Sequence, residues 1–187
     1  MTTLNKQSQK RTVSPPLLWA LAVQDKMITP NEKREQKLLE HGVPIGFLQA
    51  LEKIDNFPEL EFIINNQDSA YYYLDDIYEK YDSINNYDIT PIFCGNNNDT
   101  FYVLLTNEST IRFVFFELEQ DEIYTDYGSN FMPMLVDLLV MYYEFAEDLK
   151  IEELKNIGTK MGLKSSNELF NDLENDDWNN EKIYQYS

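Results

Sequence analysis

The stretch that decides the fold runs from Ile89 to Glu119 and reads ITPIFCGNNNDTFYVLLTNESTIRFVFFELE. Two clusters of Gly, Asn, Asp, Ser and Thr divide it into three apolar runs, Ile89–Cys94, Phe101–Leu105 and Ile111–Leu118. Such clusters are typical of turns, because Gly and Asn accept positive φ and short polar side chains bond to the nearby backbone. The pattern predicts a β-meander, to which Glu122–Tyr127 adds a fourth strand.

The second and third apolar runs show no alternation with polar residues, which is typical of strands buried on both faces. In the third run, Phe113 and Phe115 are expected to face one way, and Val114 and Phe116 the other. Pro91 lacks an amide donor, so it is expected at the start of its strand or at a sheet edge. The sequence therefore predicts a sheet covered by helices or loops on both faces.

Helical patterns flank the meander. They are predicted at Glu32–His41, with Gly42 as a left-handed cap, over a short segment led by Pro44, and at Phe131–Asp148. A further one, with tyrosines at helical spacing, ends at Tyr81. The predicted fold class is α+β: a single domain with a central antiparallel or mixed sheet, its meander at 89–127, packed by helices. The predicted organisation is a flexible leader at 1–14, an N-terminal helical extension at 15–30, the α+β domain at 31–149, and a C-terminal helical extension with a loosely held tail at 150–187.

Charge narrows the choice of partners. The 187-residue chain has 33 acidic and 15 basic residues, a net charge of -18. Between Lys80 and Lys150 only Arg112 is basic, against 13 Asp and Glu residues. A field of this sign repels phosphates and anionic membrane surfaces, so neither nucleic acid nor a membrane is an expected ligand. It steers a basic protein instead, although acidity also serves solubility alone.

Cysteine usage and hydropathy bear on the compartment. Cys94 is the one cysteine, which excludes a disulfide within the chain and a cysteine-based zinc site. The apolar run Leu17–Val23 is too short to span a bilayer, which takes about 20 residues. These features predict a cytoplasmic protein.

No residue set predicts catalysis, a metal site or a cofactor. His41 is the one histidine, and nothing in the sequence places it beside Cys94, for which a buried, inert thiol is the better interpretation. Gly95 matches no phosphate-binding loop, and the run from Asn96 to Asp99 lacks the closing glutamate of a calcium loop. Acidic neighbours such as Glu117 and Glu119 are expected by chance in so acidic a chain.

The meander and the helix after it resemble the SUKH superfamily, which includes fungal cell-wall-synthesis regulators and many bacterial immunity proteins. The residues that carry the resemblance are Ile89, Pro91, Ile92, Gly95, Asp99, Phe101 and Tyr102. Upstream, Leu38-Leu39, Val43-Pro44 and Phe47-Leu48 resemble the family's opening helix and its proline-led second helix. The resemblance covers roughly residues 31–148. Asn56-Phe57-Pro58 stands where the family has Asn-Gly-Gly, and Asn97 and Asn98 stand where glycine is usual.

The resemblance implies an α+β fold without enzymatic activity and, for bacterial members, neutralisation of a cognate toxin, often a nuclease. Together with the charge, it suggests an immunity protein that binds a basic toxin domain. The expected contact residues are acidic and lie on the tyrosine-rich helix or beside the meander: Asp75, Asp76, Glu79, Asp82, Glu119, Asp121, Glu122 and Asp126. Two alternatives stay open, an interaction or scaffold module in regulation or signalling, and an unrecognised enzyme, for which no constellation speaks.

Overall fold

The computed structural model describes residues 28–52, 80–95, 100–145 and 150–187. Several predicted features lie outside these residues: the leader, nearly all of the N-terminal extension, the tyrosine-rich helix before Tyr81, and the centre of the first turn at 96–99.

The described elements follow the order expected from the sequence. They are α1 (Asn31–Glu40), α2 (Ile45–Glu52), β1 (Asp88–Cys94), β2 (Thr100–Thr106), β3 (Ile111–Glu117), β4 (Glu122–Gly128), α3 (Met132–Phe145), α4 (Ile151–Lys160), α5 (Ser166–Glu174) and a 3-10 helix (Asn180–Gln185).

The four strands form one sheet in the order β1-β2-β3-β4, and every neighbouring pair is antiparallel. This confirms the predicted α+β class and decides the open question of strand direction in favour of antiparallel. Pro91 lies in β1, at one end of this order, where a strand tolerates a residue without an amide donor. Beside it, Ile28 forms an isolated parallel bridge with Ile89, and the Thr29 amide donates to the Ile89 carbonyl at 2.8 Å.

Apolar side chains are buried on both faces of the sheet, as predicted for the central strands. Phe113 belongs to a core shared with the helices, and Val114, its neighbour in β3, belongs to a second core on the opposite face. The second core also contains Ile84, Ile89 and Phe101. Nearly every residue of β1 and β2 is buried, whereas β4 alternates between exposed and partly buried positions.

The C-terminal segment packs against the same helix-side core, and the tail that the sequence suggested was loosely held contacts it through Tyr186. Leu154, Phe170 and Tyr186 are all buried in that core. The Tyr186 hydroxyl donates to Asp172 at 2.5 Å, and its carbonyl accepts a hydrogen bond from the Ser165 hydroxyl. These contacts join residues 14 and 21 positions apart, which local sequence pattern does not reveal.

Gly158 marks a close approach between helices. A Cβ added there would lie 2.3 Å from Ser166 Oγ and 3.3 Å from Leu139 Cδ1. The residue costs helix propensity in α4, yet it lets α5 and α3 come close.

A buried arginine links α1 to the edge of the sheet. Arg34 is only 5% exposed, and its Nε donates to the Pro91 carbonyl at 2.6 Å. Its guanidinium also donates to the Ile92 carbonyl. Both acceptors are backbone carbonyls of β1. The arginine therefore satisfies carbonyl groups that do not bond to β2.

Replacing Arg34 with Met is expected to lower the free energy of unfolding by about 2–4 kcal/mol, because hydrogen bonds to a charged donor are lost and buried carbonyls are left unsatisfied. The measurement is urea denaturation. Lys33→Met removes the same charge from an exposed neighbouring position and should cost no more than about 0.5 kcal/mol. Equal losses in the two variants would contradict a specific role for Arg34 at this edge.

Candidate interaction surface

Four acidic residues surround the turn between β3 and β4, and we refer to them as the acidic turn surface. They are Asp82, Glu119, Asp121 and Glu122. The turn is positioned by strand pairing, because Glu117 ends β3 directly opposite Glu122, the first residue of β4. The pairing of these two strand ends therefore determines the position of the acidic residues in the turn.

Asp121 fastens the turn to the segment before β1. It has a positive φ of 51°, and its carboxylate accepts the amide hydrogens of Asp82 at 2.8 Å and of Ser83 at 3.3 Å. The Ser83 hydroxyl returns a 2.5 Å hydrogen bond to the Asp121 carbonyl. The structure thus brings Asp82 and Asp121 together, but it gives Asp121 an internal, architectural role.

Asp126, further along β4, also has internal partners. Its Oδ2 lies 3.0 Å from Nε and 2.9 Å from an Nη of Arg112, and its Oδ1 accepts the Gly128 amide at 2.9 Å. Arg112 in addition donates to the Tyr87 hydroxyl at 3.2 Å. The one basic residue between Lys80 and Lys150 is therefore engaged by Asp126, and it does not neutralise the acidic turn surface.

Glu119 and Glu122 are predicted contact residues whose side chains are not engaged by the described part of the chain. Both are exposed, and neither makes a side-chain hydrogen bond or ion pair within the part of the chain that the structure describes. Asp82 is exposed too and accepts a hydrogen bond from Asn85 at 3.2 Å. The other three predicted residues, Asp75, Asp76 and Glu79, lie outside the described residues.

A row of four aromatic side chains ends beside this surface. The sequence analysis did not predict it. On the helix-side face, Phe93 stacks on Tyr102 with ring centroids 4.1 Å apart, and Tyr102 stacks on Phe115 at 4.6 Å. Phe115 then meets Tyr124 at 5.9 Å. The row takes one residue from each of the four strands, and its last member, Tyr124, is 54% exposed. Sequence shows four aromatics, but only the register puts them in line.

A second missed feature is a carboxyl group under α3. The Tyr127 hydroxyl donates to Asp137 Oδ2 at 2.5 Å. Burial raises the pKa of the Asp137 carboxyl above its ordinary value, while this hydrogen bond acts in the opposite direction. Burial, and then the charge of Asp137, raise the pKa of Tyr102. The signal was visible in sequence, since Asp137 interrupts the otherwise apolar run MPMLVDLLVMYY.

Cys94 and His41 are the two residues that the sequence analysis considered for catalysis, and the structure shows the surroundings of each. Cys94 is fully buried, and desolvation raises its pKa to about 12, which favours the unreactive thiol over the thiolate nucleophile. His41 Nδ1 donates to the Lys37 carbonyl at 2.9 Å, one turn earlier along the chain. The described residues contain no group of three or more His, Cys, Asp or Glu side chains that could hold a metal ion.

Two surface cavities lie elsewhere. One of about 440 Å³ is lined by residues of α1, among them Lys33 and Lys37, together with Thr29 and Asp88. The other, about 320 Å³, is lined by Met132 and by residues near the C-terminus. Across residues 28–52, 80–95, 100–145 and 150–187, no helix is long and apolar enough to cross a membrane.

Comparisons with known proteins returned no match to a family model, to a curated protein or to a solved structure.

The buried carboxyl group predicts a pH dependence. Because the pKa of Asp137 is raised by folding, its favourable contribution to stability is present below its ordinary value of 3.8 and is lost as pH rises through the folded value. Asp137→Asn keeps an acceptor for Tyr127 and removes the buried charge. We expect this variant to be more stable than the unmodified protein at pH 7, with the advantage shrinking as pH falls through the raised pKa of Asp137 and gone below 3.8.

Thermal unfolding measured from pH 3 to pH 8 tests this expectation. Glu144→Gln, an exposed position on the same helix, provides the control for removal of one negative charge. A variant Asp137→Asn that is less stable than the unmodified protein at pH 7, by a margin that does not vary with pH, would contradict the assignment.

Proposed function

We propose that this chain is an immunity protein that binds a basic toxin domain in the cytoplasm and blocks it, with the acidic turn surface as the contact. The observation that carries the proposal is the pair Glu119 and Glu122. Both are exposed at the end of the sheet. Between Lys80 and Lys150 the chain has 13 acidic residues and one basic residue, Arg112, which forms an ion pair with Asp126.

Electrostatic steering supports a basic partner. Charges that lie together without a counter-ion project a field into solvent, and such a field accelerates encounter with an oppositely charged protein. A nuclease domain presents basic residues where it meets phosphate, so an acidic binder can occupy the same face and exclude the substrate. The SUKH resemblance of the meander points to the same class of partner.

Rigidity also supports a binding role. The turn that carries Glu119 and Glu122 is fastened through Asp121 to the backbone of Asp82 and Ser83, and Tyr124 beside it rests on Phe115. A surface held in one conformation loses less entropy on association than a mobile one. Exposed tyrosine is also among the residue types that contribute most to protein interfaces.

The first experiment identifies the partner. Co-purification from the native host followed by mass spectrometry is expected to recover a small basic protein in stoichiometric amount, whose toxicity in cells is relieved by co-expression of this chain. Recovery of a regulatory protein without toxicity would favour the scaffold alternative instead.

The double variant Glu119→Lys, Glu122→Lys is expected to slow association with that partner by about tenfold at an ionic strength of about 0.1 M and to weaken its salt dependence, because local steering is reversed. Asp121 is left unchanged in this design because its side chain holds the turn. Stopped-flow or biosensor kinetics provide the measurement.

The matched control is Glu108→Lys with Glu174→Lys, which makes the same change in net charge at two exposed positions elsewhere. We expect this control to slow association by no more than about twofold, since charges beyond a Debye length of about 8–10 Å are screened. Equal rates for the two double variants would remove the acidic turn surface from the interface.

A further inference from the structure

One carboxylate oxygen next to the acidic turn surface, Oε2 of Glu117, has no hydrogen-bond partner among the described residues. Glu117 is only 7% exposed. A buried carboxylate oxygen without a donor is unfavourable, because the desolvation of the charge is not offset by any contact. Such a group is unexplained by the fold alone.

Strand register defines what lies beside Glu117. Within the sheet it pairs with Thr100 of β2 on one side and with Glu122 of β4 on the other. Directly paired residues on antiparallel strands have their Cβ atoms about 4.5–5.5 Å apart on one face. Two glutamates therefore lie side by side on the helix-side face, one buried and one exposed, without a cation between them among the described residues.

The aromatic row adds a third component. Phe115 precedes Glu117 by two residues, so it lies on the same face, and its ring meets that of Tyr124. Glu117, Glu122 and Tyr124 thus combine two carboxylates with the exposed ring of a tyrosine. Gln120 donates to the Tyr124 hydroxyl at 3.5 Å, and Tyr124 is 54% exposed.

This combination suits one chemical group better than others. A guanidinium is planar, donates in parallel to carboxylate oxygens and stacks on aromatic rings, whereas an ammonium is a point charge with a strong hydration shell.

We propose that Glu117, Glu122 and Tyr124 form an acceptor site for one arginine side chain of a partner protein. This inference rests on the proposed function and specifies the chemistry of the contact. Glu117 then supplies Oε2, an acceptor without a donor among the described residues, and this oxygen gains a donor in the complex. Tyr124 provides the ring on which the guanidinium stacks.

Binding of two synthetic peptides, hexa-arginine and hexa-lysine, tests the site at physiological salt by fluorescence anisotropy. The peptides carry equal charge, so general attraction to an acidic protein is the same for both. The unmodified protein is expected to bind hexa-arginine at least about threefold more tightly, since only arginine bonds in parallel and stacks. Equal affinities would overturn the proposal.

Glu117→Gln is expected to weaken hexa-arginine binding by about tenfold and to reduce the preference over hexa-lysine, because a charge-assisted hydrogen bond is lost. The matched control is Glu108→Gln, the same substitution in the turn between β2 and β3, at the opposite end of these strands. The control should change affinity by less than about twofold. Similar losses in both variants would mean that only net charge matters.

Thermal unfolding gives a readout that does not depend on any partner. If Glu117 is an unsatisfied charge, Glu117→Gln should raise the midpoint of unfolding of the free protein relative to Glu108→Gln, and hexa-arginine should stabilise the unmodified protein more than the variant. A marked fall in the midpoint for Glu117→Gln would show that the carboxylate supports the fold and would overturn its role as an acceptor.

The two proposals fail separately. A toxin that co-purifies but binds Glu117→Gln and the unmodified protein equally well would leave the immunity function standing and refute the arginine site. Arginine-selective peptide binding that is lost in Glu117→Gln, in a chain that protects against no toxin, would support the site and refute the function.

Discussion

Burial of the sheet on both faces is the constraint on which the rest of the structure depends. β1 and β2 have almost no exposed residue, and β3 gives Phe113 to the helix-side core and Val114 to the opposite one. Charged side chains are excluded from such strands unless they find partners. Among the described residues from 80 to 128, the acidic side chains therefore lie in turns, at strand ends and in β4, which alternates between exposed and partly buried positions.

The two outer strands of the sheet, β1 and β4, have different surroundings. At β1 the buried guanidinium of Arg34 and the Ile28 bridge occupy backbone groups of the strand. At β4 the bulged register, the acidic side chains and a 3.4 Å hydrogen bond from the Tyr184 hydroxyl to the Asp126 carbonyl modify the edge. Charges and bulges of this kind discourage pairing with another sheet. They also leave β4 and its turn as the acidic, aromatic part of the described surface.

Sequence predicted the elements better than it predicted their contacts. The apolar runs gave the strands, Pro91 gave an edge position, and Gly42 has the left-handed φ of 85° expected of a helix cap. Arg34 could not be foreseen, because its acceptors lie 57 and 58 residues away. The same applies to Asp121, which was predicted as a contact residue from charge and whose carboxylate accepts the amide hydrogen of Asp82, 39 residues earlier in the chain. Asp137 was detectable as the one charged residue in the run MPMLVDLLVMYY. Glu117 was visible only as one of many acidic neighbours, and its burial follows from register.

The central claim is that a basic partner is bound at the end of β3 and the start of β4. Hydrogen–deuterium exchange of the chain, free and in complex with the co-purified partner, tests it most directly, because it maps contact without altering a residue. The account predicts slower exchange for amides of residues 117–124 on binding and no change at residues 107–111, at the opposite end of the strands. Protection at 107–111 or along α1, with none at 117–124, would contradict it.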